Sequence, residues 1–227
     1  MKMEDILEPH VNCMSGNVLD RAAHLRDNPK WLKSAIESSE SKFIVFKDLN
    51  PLCVKEEKDD GDEIKKGKTS LTYFNYEQLS VLIRKSFSER KGAFTTASDF
   101  GSDENDKVWP RNILFLGTGT TQQLKDLNPD SVQTPWFAVD ITRLCSRDTE
   151  QFEEQYLPGN EFLNSRKAAF TLSSEEASIF SQARSMLAWL DRYQFCATCG
   201  ERMSVQEAGY KAVCDENCRS SKGRYSK

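Results

Sequence analysis

The chain has 227 residues, 38% hydrophobic and 29% charged, with a formal net charge of −4. That is enough sequence for one large or two modest domains with a packed core. A slightly acidic balance argues against a general polyanion binder, since such domains are usually basic overall, and no run approaches the roughly 18 apolar residues of a membrane span.

The N-terminal MKMEDILEPHVNCMSGN carries early acids and no apolar core, so no secretory signal is expected. Without one, seven cysteines read as reduced thiols or metal ligands in an intracellular setting, not as a disulfide frame. Cys13, Cys53 and Cys145 are far apart and read as ordinary small apolar residues. The two histidines, His10 and His24, have no G-x-S-x-G turn to serve, and His24 in a charged stretch reads as a surface residue.

In NVLDRAAHLRDNPKWLKSAIES (17–38), apolar residues fall at helical spacing on either side of Asn28-Pro29, which predicts two short helices and a turn. KFIVFKDLNPLC reads as a strand closed by a turn at Asn50-Pro51. Residues 55–68 carry five basic and six acidic side chains and almost nothing to bury, as in a solvated insertion. Gly61 to Thr69 imitates a phosphate-binding loop, but its glycine spacing is one residue too long and no apolar strand precedes it.

TSLTYFNYEQLSVLIRKSF (69–87) predicts a strand leading into a helix with Leu79, Leu82 and Ile83 inward, and 88–110 reads as loop. NILFLGTG (112–119) and PWFAVDIT (135–142) predict strands, with Gly117-x-Gly119 as a turn after the first. The clearest helix is TLSSEEASIFSQARSMLAWLDRYQF. Ser173 and Glu176 have the spacing of a capping box, and Ala177, Phe180, Ala183, Leu187 and Leu190 form an apolar stripe widened by Ile179, Met186 and Tyr193.

This helix delivers the chain into FCATCGERMSVQEAGYKAVCDENC (195–218). Cys196-x2-Cys199 and Cys214-x3-Cys218 are two close pairs separated by fourteen residues, the pattern of a ribbon that presents four thiolates to Zn²⁺. Gly200 suits the first knuckle, and SVQEAGYKAV supplies two short strands bending near Gly209. Arg202, Lys211 and Arg219 are near enough in sequence to offset part of the site's negative charge. A redox dithiol or an iron-sulfur centre remain the alternatives, with zinc favoured by the double pair. Four protein ligands leave no open position, so the metal is expected to be structural and coupled to folding of the last thirty-odd residues.

The succession LDRAAHLRDNPKWL, ILFLGTG, PWFAVDIT, SIFSQARSMLAWLDRYQFCATCG and EAGYKAVC…C resembles the NADH pyrophosphatase branch of the Nudix hydrolases, over about residues 17–225. The second knuckle departs slightly, with three residues between its cysteines where bacterial members commonly have two. The resemblance implies an α+β chain: a rudimentary Nudix-like α/β domain at 17–170 with polar insertions at 54–70 and 86–110, a connecting helix at 171–194, and a small four-cysteine zinc ribbon at 195–225. It also implies a catalytic Nudix domain beyond the ribbon, where Mg²⁺ or Mn²⁺ would be held by the glutamates of a G-x5-E-x7-R-E-U-x-E-E-x-G-U box. Clustered divalent cations are what a pyrophosphate needs to neutralise its oxygens and activate water.

No Arg-Glu dipeptide occurs in the 227 residues, so the box is not among them. Family members cleave NADH and NAD⁺ to nicotinamide mononucleotide and AMP, and some remove NAD caps from RNA. For this chain the resemblance implies a structural and dimerising part, as a homodimer or with a full-length homologue, with no catalysis of its own. Tyr225 matches a tyrosine that helps stack the substrate's base in the family, which makes it a candidate substrate-binding residue. The expected compartment is intracellular and cytoplasmic, with a peroxisomal or mitochondrial one as the alternatives, since some eukaryotic members of the family are peroxisomal; Tyr-Ser-Lys at the end is not the peroxisomal Ser-Lys-Leu signal.

The alternative is a stand-alone zinc-ribbon interaction protein that regulates a full-length partner. An RNA contact through the basic tail RSSKGRYSK (Arg219, Lys222, Arg224) ranks below a solvated terminus.

Overall fold

A computed structural model describes residues 14, 16–55, 69–89, 107–119, 134–214 and 218. His10, Cys13, most of both polar insertions including Gly61 and Gly67, Arg219, Lys222, Arg224 and Tyr225 lie outside the described residues.

The main sheet has five strands in the order β3-β4-β1-β2-β5. They are β1 (Lys42–Lys47), β2 (Asn50–Val54), β3 (Ile113–Gly119), β4 (Thr134–Asp140) and β5 (Asn160–Phe162). The β1–β4 pair is parallel and the other three pairs are antiparallel. Side chains alternate between two faces, and both faces are buried. Phe43, Val45, Phe115, Phe137 and Val139 point into one core, and Ile44, Phe46, Leu114, Leu116 and Ala138 into the other. That is why FIVF and ILFL read as unbroken apolar runs: each face needs its own apolar set. On the first face, Phe115, Phe137 and Phe43 stand in register across three strands, with ring centroids 5.4 and 5.2 Å apart.

Helices cover both faces. On one lie α1 (Pro29–Glu37), α2 (Tyr76–Glu89) and Phe152 of α3 (Ser146–Tyr156); on the other lie α4 (Ser165–Thr171) and α5 (Ser174–Arg192). The result is the expected α+β architecture, a three-layer domain. No helix among the described residues is long and apolar enough to cross a membrane.

Several sequence expectations change here. Of the two helices predicted in 17–38, α1 forms, and Asn28 caps it by accepting from the Trp31 amide at 3.0 Å with Pro29 in its first turn. The first shrinks to a single 3-10 turn, Ala23–Leu25. The residues before it are held in extended form instead, because Asp20 and Thr118 exchange both backbone hydrogen bonds at 2.8 Å. Gly117 is correspondingly no turn. It sits inside β3 at a break in register with φ +143°, where a Cβ would lie 2.2 Å from the Asp20 carbonyl oxygen. The glycine is there to admit another backbone.

Asn50-Pro51 does not end a strand either. The turn is Asp48-Leu49, both at positive φ (52° and 60°), and β2 starts directly after it. Lys47↔Asn50 closes this two-residue hairpin, so Phe46↔Pro51 is the next, non-hydrogen-bonded pair, and the N–H that proline lacks would have faced away from β1. The predicted strand before α2 is reduced to single bridges, Phe74 with Phe43 and Leu71 with Cys53, as the chain threads between the diverging ends of β1 and β2. α2 itself runs on to Glu89. Cys53 is buried in the core as expected, whereas Cys145 is exposed directly ahead of α3 and is no core residue.

α5 follows its sequence closely. Ser173 Oγ accepts from the Glu176 amide at 3.2 Å, and the stripe from Ala177 to Leu190 is buried, while Tyr193 is exposed. The Glu176 carboxylate departs from the box. Its Oε1 accepts from the Leu71 amide at 3.0 Å and the Tyr73 hydroxyl at 2.8 Å, tying α5 to the segment before α2.

Candidate metal centre

α5 ends at Arg192 and hands the chain to the first cysteine knuckle. Phe195 and Arg202 form a bridge, the Cys196 amide donates to the Glu201 carbonyl at 2.8 Å, and the Gly200 amide donates to the Cys196 carbonyl at 2.9 Å. Those bonds turn the chain tightly around Cys196 and Cys199, and Gly200 takes φ +76°, which a residue with a Cβ resists. Beyond it, β6 (Ser204–Gln206) and β7 (Lys211–Val213) pair antiparallel and bring Cys214 back to the first knuckle. Their bend puts Glu207, Ala208 and Gly209 in succession at positive φ (51°, 53° and 104°).

The four sulfurs of Cys196, Cys199, Cys214 and Cys218 lie within 4.8 Å of one another. Cys196 and Cys218 are 3.7 Å apart and Cys199 and Cys214 3.3 Å. A tetrahedron with Zn–S bonds of about 2.3 Å has its sulfurs about 3.8 Å apart, so the thiols fit one such ion. Cys196 and Cys218 are buried, while Cys199 faces solvent. The backbone amides of Thr198 and Cys199 point at the Cys196 sulfur and pull its thiol down to about 6, and the neighbouring Cys199 thiol pushes Cys214 up. Amide donors aimed at a sulfur favour the thiolate, the form in which cysteine binds metal.

The positive charges expected around the cluster are arranged differently. Lys211 pairs with Glu207 at 3.0 Å on the ribbon's outer surface, and Arg202 lines a cleft between ribbon and sheet. His24 is exposed, as expected of a surface residue.

The ribbon is seated on the sheet domain by contacts that the sequence did not announce. The Trp109 amide donates to the Val205 carbonyl at 2.8 Å, and its indole Nε1 donates to the Ile113 carbonyl at 2.6 Å. Val205 and Ala208 are buried in the same core as Phe115 and Phe137. Gly209 lies so close to β3 that a Cβ would stand 2.6 Å from Leu114 Cδ1. Arg111 donates through Nη1 to the Leu190 and Tyr193 carbonyls (2.7 and 3.2 Å) and through Nη2 to the Met203 carbonyl (2.6 Å), so one guanidinium fastens the end of α5 to the ribbon. Gln182 of α5 donates to the Leu116 carbonyl at 2.8 Å and the Tyr210 hydroxyl at 2.7 Å, and the Arg26 guanidinium lies 3.5 Å over the Tyr210 ring. A tryptophan just before Pro110 in an otherwise loop-like stretch was the one visible signal of this docking.

Residues 40–189 match the NADH pyrophosphatase-like rudimentary NUDIX domain, and residues 191–221 match the NADH pyrophosphatase zinc ribbon domain. The chain is 29% identical over 229 residues to the NAD-capped RNA hydrolase NUDT12 of Macaca fascicularis, covering 96% of this chain and 43% of the relative. It is 29% identical over 220 residues to an NAD-capped RNA hydrolase of Schizosaccharomyces pombe, covering 92% and 52%. To the human mitochondrial NAD(P)H pyrophosphatase NUDT13 it is 25% identical over 167 residues, covering 70% and 45%. The chain thus spans about half the length of the curated relatives it matches.

Proposed function

The chain belongs to the NADH pyrophosphatase branch of the Nudix hydrolases, and from that premise we propose that these residues are the scaffold of such an enzyme. In this reading Cys196, Cys199, Cys214 and Cys218 hold one Zn²⁺ that fixes the ribbon, and the ribbon positions a catalytic Nudix domain. The observation that carries it is the convergence of the four thiols within 4.8 Å. Four protein ligands fill a tetrahedral site, so the ion supplies cross-linking and no open position for water or substrate.

The chain's own residues do the rest. Amides of the first knuckle hold the Cys196 sulfur ready as a ligand, Gly200 permits the turn, and Arg111, Trp109 and Gly209 lock the ribbon against β3 and α5. Hydrolysis of the pyrophosphate in NAD(H), or in an NAD cap on RNA, is the whole-protein activity suggested by the relatives' names. Its Mg²⁺ or Mn²⁺ belongs with the Nudix-box glutamates, which the 227 residues do not include. Tyr225 would contribute to stacking the substrate's base beside that domain. Assembly as a homodimer, or with a full-length homologue, completes the reading.

The test is an assay of the purified chain with NADH and Mg²⁺, scored by chromatographic release of AMP. No release above the blank is expected. Release that disappears on chelating Mg²⁺ would overturn the proposal.

A further inference from the structure

The four thiols of the metal centre are not equivalent. Cys196 and Cys218 are buried, Cys214 is half-buried, and Cys199 is exposed. The turn that carries Cys199 is open as well. Every residue from Ala197 to Arg202 except the metal ligands' own sulfurs faces solvent, and nothing stands within 4 Å of where a Gly200 Cβ would be. Cys199 and Cys214, the more accessible two, have their sulfurs 3.3 Å apart, against 3.7 Å for the buried pair Cys196 and Cys218. Oxidation of cysteine follows thiolate character and exposure, and a second thiol alongside resolves the first product into a disulfide.

The two pairs also hold different parts of the chain. Cys199 precedes β6 and Cys214 directly follows β7, so a bond between them closes a loop around that hairpin. The ribbon's contacts with the sheet fall inside this loop. Met203 and Val205 offer their carbonyls to Arg111 and to the Trp109 amide, Val205 and Ala208 are buried in the core, and Gly209 abuts Leu114. Cys196 and Cys218 instead join the end of α5 to the last described residue.

We propose that the cluster is a redox switch, in which a peroxide joins Cys199 to Cys214, the cluster gives up its metal, and Cys218 is untethered from Cys196 while the hairpin stays docked. The Cys199 sulfur attacks one peroxide oxygen. The O–O bond breaks, an S–O bond forms, and the departing hydroxide takes a proton to become water. The Cys214 sulfur then attacks the Cys199 sulfur. An S–S bond forms, the S–O bond breaks, and the second hydroxide leaves as water on taking a second proton. Over both steps each sulfur gives up one electron and the peroxide takes both. Two of four thiolates are consumed, which opens a site that needs all four, and the new disulfide constrains the hairpin in the metal's place.

The test treats the zinc-loaded, ¹⁵N-labelled chain with hydrogen peroxide. Released zinc is read with a chromogenic chelator, and disulfides are mapped by tandem mass spectrometry after alkylation of the remaining thiols. The expected result is loss of one zinc equivalent, a Cys199–Cys214 disulfide, alkylated Cys196 and Cys218, and retained β6–β7 amide signals. Chelation without oxidant, which forms no disulfide, should lose those signals. Dithiothreitol and zinc should restore the starting spectrum. A disulfide within one knuckle, Cys196–Cys199 or Cys214–Cys218, or one between the buried pair, would overturn the proposal. So would zinc retained while the exposed Cys145 is oxidised, or loss of the hairpin signals in the disulfide form. The proposal rests on the zinc reading above. A chain that carries no zinc before peroxide is added contradicts both, whereas a zinc-loaded chain with the wrong disulfide contradicts the switch alone.

Discussion

Gly209→Ala tests whether the ribbon is seated on the sheet as described. Two costs add at this position. The residue sits at φ +104°, a conformation that L residues rarely adopt and that costs about 1–2 kcal/mol when forced. The added Cβ would also stand 2.6 Å from Leu114 Cδ1 and 3.4 Å from the Ile113 carbonyl oxygen. Leu114 is fully buried and cannot swing into solvent, so relief requires backbone movement, and overpacking of this kind costs about 1–3 kcal/mol. Together the two come to about 2–5 kcal/mol. Gly159→Ala is the control, because Gly159 has φ +81° with nothing within 4 Å, so only the backbone cost applies there, about 1–2 kcal/mol. Urea unfolding of the zinc-loaded protein, followed by circular dichroism and tryptophan fluorescence, gives both values. If Gly209→Ala destabilises no more than Gly159→Ala, the ribbon does not rest on β3 at this point.

Arg111→Met should cost about 2–4 kcal/mol in the same experiment, since three carbonyls at the α5–ribbon junction lose a charged donor. Ser173→Ala removes the α5 cap and should cost about 1 kcal/mol, visible as a lower urea midpoint with unchanged zinc content. For Asp140, burial raises the folded-state pKa above the unfolded one, so the native state binds its proton more tightly. Its contribution is therefore most favourable below the ordinary value of 3.8 and declines as pH rises toward the folded-state value. Asp140→Asn should flatten that part of the stability profile and gain on wild type between acid and neutral pH; urea midpoints falling in parallel for both proteins would contradict this.

What the sequence revealed tracks how local the cause was. The knuckles, the α5 stripe and the Ser173 cap are set by neighbours within a few residues, and all stood out from spacing and residue type. β1, β3 and β4 announced themselves by unbroken apolar runs, because both faces of the sheet are covered. The failures have non-local causes. Gly117 answers to Asp20, nearly a hundred residues away in sequence, so its role could not be told from that of a turn glycine. Pro51 looked like a breaker because the register that tolerates it depends on a turn one step earlier. α3 was invisible for a different reason: only Phe152 of its eleven residues is buried, which leaves almost no apolar period to detect. The same holds for the site. Its four thiols were legible from spacing alone, while of the residues that seat the ribbon only Trp109, a lone large aromatic in a loop-like stretch, left a signal and Arg111 left none.

Metal content coupled to folding puts the central claim, a four-thiolate clamp that folds the ribbon docked on a Nudix-like domain, to its most direct test. The purified chain should carry one equivalent of zinc, released on chelation together with loss of the β6–β7 amide signals, and Cys196→Ser should lose the metal in the same way. A ribbon that stays folded without metal, or a chain purified in the presence of zinc that retains none, would contradict the account.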